Sequence, residues 1–181
     1  MMMNEPGTHR RVERDRKKGA VPLSILRMSD AVRTVVDHPR RLEELVRMLG
    51  DKDLGVRGRA AATLAKLSES HPARLLRIIV RLRESLADDS AHVRWHLVYA
   101  LGQLGSRFPA QLEGILRDLV ARLDDNNRIV RILACRTLGD VAARKPLIVE
   151  EIFQNLKREV PPSVARILRS FKKASRKSAR P

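Results

Sequence analysis

His92 and His96 stand one helical turn apart in the stretch "DDSAHVRWHLVYALGQLG". On a helix that spacing turns two imidazoles the same way, which is how a metal is gripped. Two histidines do not complete a coordination shell, and Trp95 and Tyr99 crowd the same face. Neither a metal nor a cofactor is therefore expected. The chain holds one cysteine, Cys135, which excludes an internal disulfide. It has no glycine-rich phosphate loop and no nucleophile motif. These residues predict no enzyme and no small-molecule substrate. What remains is arginine, recurring at fixed places, and the elements that carry it.

Those elements repeat. The skeleton of "DDSAHVRWHLVYALGQLG" returns upstream as "DKDLGVRGRAAATLAKLS" and downstream as "DNNRIVRILACRTLGDVA". At an offset of 37 residues, Val56, Val93 and Val130 fall into one column, each followed by an arginine: Arg57, Arg94 and Arg131. Leu64, Leu101 and Leu138 coincide, as do Pro72, Pro109 and Pro146. Such self-similarity marks a repeat architecture. Each unit reads as two helices. Asp53, Ser90 and Asn127 are favoured N-caps for the first helix, and a proline opens the second, where its missing N–H is harmless. In the first helix Val93, Leu97, Leu101 and Leu104 keep one face apolar; in the second Leu75, Ile78, Leu82 and Leu86 do so. A lone pair cannot bury two such stripes, but stacked pairs share one core. Cys135 lies in the column of Ala61 and Val98 and reads as a small buried hydrophobe.

"DDSAHVRWHLVYALGQLG" and "DDNNRIVRILACRTLGDV" resemble the first helix of HEAT repeats, of the armadillo-like helical-repeat family, in their Asp, Val-Arg, Ala and Leu-Gly positions. The resemblance covers roughly residues 50–160. It implies an all-α, right-handed α-α solenoid of helical pairs, here about 37 residues per repeat, shorter than the usual ~40–47. It also implies that the second helices line the concave surface. Three repeats are expected at 50–86, 87–123 and 124–160, with a degenerate capping repeat at 21–49 and a capping half-repeat at 161–173. Disordered basic segments are expected at 1–20 and 174–181. Arg94 projects about 100° from Val93, along the stack. The resemblance then makes Asp51, Asp88 and Asp125 its kind of partner, a structural ladder with Arg57, Arg94 and Arg131 rather than ligand contacts.

Two surfaces remain as binding candidates. Opposite the apolar stripe of the first helices lie His92, Trp95 and Tyr99, then Ile129, Ile132 and Arg136, beside Gly55, Gly58 and Ala62. Trp95 sits about 160° from the core direction, which predicts an exposed indole. A face that met only water would be polar, so this strip is read as a protein-partner surface or as one covered by the chain's own N-terminal segment. The second candidate is cationic. The chain has 37 Lys+Arg against 21 Asp+Glu, a formal net charge of +16. Residues 164–181 hold seven basic residues and no acid. Arg74, Arg77 and Arg81, with Arg169, Lys172, Lys173, Arg176, Lys177 and Arg180, would carry sequence-indifferent nucleic-acid binding. The stripe at 74–81 does not continue, since Gln111, Gly114 and Asp118 occupy the next unit. The leading expectation is thus a non-catalytic scaffold or adaptor binding a protein, with nucleic-acid association as the alternative. With no apolar run of membrane-spanning length and no signal-peptide core, a cytoplasmic protein is expected.

Overall fold

The computed structural model describes residues 21–108, 111–144 and 169. The expectations for 1–20, for the second helix of the third repeat, for the capping half-repeat apart from Arg169, and for the basic tail lie outside the described residues. Among the described residues every element is helical. The α-helices are α1 (Met28–Asp37), α2 (Leu42–Leu49), α3 (Leu54–Ser70), α4 (Ile79–Glu84), α5 (Ala91–Arg107), α6 (Leu112–Ala121) and α7 (Arg128–Arg144). The starts of α3, α5 and α7 are 37 residues apart. The chain is an α-α solenoid in two layers. One layer is α1, α3, α5 and α7; the other is α2, α4, α6 and the 3₁₀ turns that flank them.

The first-layer helices start where side-chain oxygens meet free N–H groups. The Asp53 carboxylate accepts from the Gly55 N–H at 2.6 Å, and Asn127 Oδ1 accepts from Ile129 at 2.9 Å and Val130 at 3.3 Å. Ser90 departs from expectation: it holds the N-cap position with extended backbone but makes no side-chain cap bond. Its N–H is instead tied to the Asp88 carboxylate at 2.8 Å.

The second-layer element of the first repeat is not one α-helix but three pieces. A 3₁₀ run (Pro72–Ile78) precedes α4, and a 3₁₀ turn (Ser85–Ala87) follows it. Its buried residues are Leu75, Ile78, Leu82 and Leu86. Their spacing of three, then four, suits a rod that starts at 3.0 residues per turn and relaxes to 3.6. These leucines and isoleucines meet Leu64, Leu67, Val93, Leu97 and Leu101 in a single continuous core. Each such side chain removed from water contributes about 1.5–3 kcal/mol.

The first layer is the more tightly stacked along the chain. α3 lies directly along α5, and α5 along α7; these are the most extensive helix–helix contacts among the described residues. Small residues such as Gly58 and Gly102 permit that close approach.

Candidate functional site

Each corner between a second-layer helix and the next first-layer helix is fastened by the Val-Arg arginine. Arg57 Nη1 donates to the Asp51 and Lys52 carbonyls at 2.9 and 3.1 Å. Arg94 Nη1 does the same to Asp88 and Asp89, and Arg131 Nη1 to Asp125 and Asn126. Carbonyls at a helix end lack partners within the helix, and these arginines supply them. The other edge of the guanidinium reaches one repeat onward. Arg57 Nε meets Asp88 Oδ2 at 2.7 Å; Arg94 takes both Asp125 oxygens, at 2.9 and 2.7 Å.

The pairing therefore runs forward along the chain: Arg94 belongs to Asp125, not to Asp88 or Asp51. Among the described residues Asp51 enters no ion pair. Its carboxylate accepts from the Asp53 N–H, and the column position that would supply its arginine is Ala20. Burial alone would raise the Asp125 carboxyl pKa. The Arg94 hydrogen bond, the Asn127 N–H and the charges of Arg94 and Arg122 outweigh burial and hold it below the ordinary value.

A further cross-repeat pair went unseen in the sequence. Arg83 bonds the Asp118 carboxylate, with its guanidinium lying where a Cβ on Gly114 would stand. It occurs once, so no column announces it. Its only trace is the glycine in a column otherwise held by Arg77 and Glu151.

On the first-layer face the candidate strip divides into two chemistries. Toward the N-terminal ends of the helices lie Leu54, Ile129 and Ile132, the isoleucines 61% and 54% exposed. His92 is exposed, and its ring sits over the missing Cβ of Gly58. Trp95 is half-buried rather than exposed as predicted, because it stacks on His96 at 3.7 Å and packs against the core edge. Toward the C-terminal ends the face is polar. Tyr99 donates to Glu69 across the α3–α5 seam at 3.1 Å. Between α5 and α7 opens a cleft of about 250 Å³, lined by Tyr99, Gln103, Arg136, Thr137 and Asp140 among others.

Burial, reinforced by the neighbouring His92, pushes the His96 pKa down to about 4. A histidine depressed in the folded state contributes stability that is whole above its unfolded value near 6.5 and drains away as pH falls toward 4. Melting temperature should decline over that window, and His96→Asn should flatten the decline. An unchanged profile in the variant would assign the acid sensitivity to other groups.

No family model matches the sequence, and no curated protein matches it. Solved structures do. An engineered protein superposes with a TM-score of 0.57 at 21% identity, covering 82% of this chain and 67% of its own. A computationally designed armadillo repeat protein for modular peptide recognition gives 0.58 at 20% identity, over 80% and 68%. A second engineered protein gives 0.56 at 20%, over 86% and 41%. The fold is that of the armadillo-like helical repeats.

Within this armadillo-like array the predicted residues fall apart into separate regions. His92, Trp95, Tyr99, Ile129, Ile132 and Arg136 lie on the stacked first-layer helices α5 and α7. Arg74 is half-buried and Arg77 and Arg81 are exposed, all on the other layer. Arg77 reaches the Pro39 carbonyl, and Arg81 pairs with Glu84 at 3.0 Å. Arg169 is helical and exposed; Lys172, Lys173, Arg176, Lys177 and Arg180 lie outside the described residues. Cys135 is half-buried against the core, and burial raises its thiol pKa, the opposite of what activates a nucleophile. Among the described residues no group of three or more His, Cys, Asp or Glu side chains could hold a metal ion. No helix among them is long and apolar enough to cross a membrane.

Proposed function

We propose that the protein is a non-catalytic scaffold that binds another protein along the first-layer face of α3, α5 and α7. The observation that carries this reading is the exposed pair Ile129 and Ile132 beside the half-buried Trp95, directly alongside a polar cleft. An aromatic and aliphatic anchor bordered by hydrogen-bonding groups is the anatomy of a protein-binding surface. One structure of the same fold was designed for modular peptide recognition, which supports a peptide-like occupant. Arg136 and Asp140 place a donor and an acceptor side by side in the cleft, suited to the alternating N–H and C=O groups of an extended backbone.

The test is selection of a random peptide library on the purified protein, followed by titration against two variants. Trp95→Ala and Ile132→Asp should each reduce affinity by about 2 kcal/mol, roughly 30-fold. Melting temperature should barely move for Ile132→Asp, whose side chain faces solvent. A selection that enriches nothing, or binders indifferent to both substitutions, would remove this face from consideration.

A further inference from the structure

On the opposite layer, a small cleft of about 90 Å³ opens where α1, the start of α2 and the 3₁₀ run of the first repeat meet. Its floor is apolar, made by Val35, Pro39, Leu42 and Ala73; its charged lining is Arg74 and Arg77. In a 3₁₀ helix residues i and i+3 eclipse, so these two arginines rise from the same side, about 6 Å apart. Arg77 is anchored by its bond to the Pro39 carbonyl, across the junction of the two repeats. Arg40 follows directly on that proline and is exposed. Arg40 and Arg74 meet no carboxylate among the described residues. On the elements around the cleft and on α4, Glu44 is held by Arg41 and Glu84 by Arg81, leaving Asp30, Asp37 and Glu43 as the other exposed acids.

An apolar floor with an arginine rim fits one kind of occupant. An apolar cavity of about 150 Å³ takes benzene, so this smaller one takes an aliphatic branch and not an aromatic ring. Arginine forks bind carboxylates in pairs of hydrogen bonds. We propose that this cleft docks a short acidic segment of a protein partner, with one Leu, Ile or Val side chain in the cleft and flanking carboxylates on Arg74, Arg77 and Arg40. The site shares no residue with the first-layer face and stands or falls apart from it.

The experiment uses the full chain and a fluorescent peptide, Asp-Glu-Leu-Glu-Asp, with a second peptide carrying Ser in place of Leu. A chain of net charge +16 attracts any acidic peptide, so discrimination between the two peptides and response to variants decide the matter. Arg74→Glu reverses a charge whose side chain makes no bond among the described residues, and Ala73→Leu fills the cleft while leaving every charge in place. Each should weaken the leucine peptide by about tenfold or more, with melting temperature unchanged, and the serine peptide should bind weakly throughout. Equal binding of both peptides, or indifference to Ala73→Leu, would reduce the effect to bulk charge and overturn the proposal. Polyuridylate binding that is tighter than the peptide and sensitive to Arg74→Glu alone would assign the face to phosphate instead. Peptide binding lost in Trp95→Ala but not in Arg74→Glu would move it to the first-layer face and overturn the proposal.

Discussion

Replacing Arg94 by alanine is expected to lower folding stability by about 3–5 kcal/mol, the range for breaking one side of a buried ion pair. The pair is the most enclosed among the described residues, with side-chain exposures of 7% for Arg94 and 2% for Asp125. All five guanidinium donors are used. Two go to Asp125, one to Asn126 Oδ1 at 2.6 Å, and two to the Asp88 and Asp89 carbonyls. Alanine leaves a buried carboxylate with the Asn127 N–H at 2.9 Å and, as its one remaining cation, the weaker contact to Arg122 at 3.4 Å. The same change at Arg57 should cost less, because that pair is 17% and 8% exposed and its second bond to Asp88 is long at 3.5 Å. Arg94→Lys should recover little, since an ammonium cannot span five acceptors. Arg94→Met with Asp125→Leu should recover much, because an apolar pair carries no stranded charge.

The acid limb adds a second readout. Asp125 titrates below its ordinary value in the folded chain, so its contribution is whole above the unfolded carboxylate pKa of about 3.9 and is lost as pH falls below that. In Arg94→Ala this loss should shrink. Denaturant unfolding at several pH values measures both effects. A variant as stable as the parent but defective in partner binding would turn Arg94 from a fastening into a contact residue.

What the sequence disclosed follows from which features recur. A core made by stacking must be written again in each unit, so Val56, Val93 and Val130 and the leucine columns were legible. So were the arginines beside them, because every corner needs its carbonyls capped. The direction of pairing was not legible, since one projection angle points equally at the repeat before and the repeat after. The closeness of the first-layer helices was hidden for a different reason. It depends on what small residues such as Gly58 and Gly102 meet on other helices. The half-burial of Trp95 likewise depends on His96, which a helical wheel places beside it without saying that the rings stack. The cleft at Arg74 required the 3₁₀ geometry of Pro72–Ile78, and nothing in the apolar pattern separates that from an α-helix.

Gly102→Leu is expected to destabilise the array by about 3 kcal/mol, at the upper end of what overpacking costs. α5 and α7 cross so closely at this point that a Cβ on Gly102 would lie 2.2 Å from Thr137 Cγ2. Thr137 is buried and β-branched, so it turns aside poorly. Even Gly102→Ala should lose stability, although alanine favours a helix over glycine by about 1 kcal/mol. The preceding repeat contains its own control. The columns of Gly102 and Thr137 hold Ala65 and Ala100 there, both buried. Alanine is thus accepted at the first position where the second is also alanine. Combining Gly102→Ala with Thr137→Ala should therefore restore stability beyond the sum of the single changes, and the non-additive part measures the contact. Thermal unfolding of the four proteins gives that term directly. Strict additivity would mean that the two helices do not meet at this pair, and that the glycine is there for some reason other than their close approach.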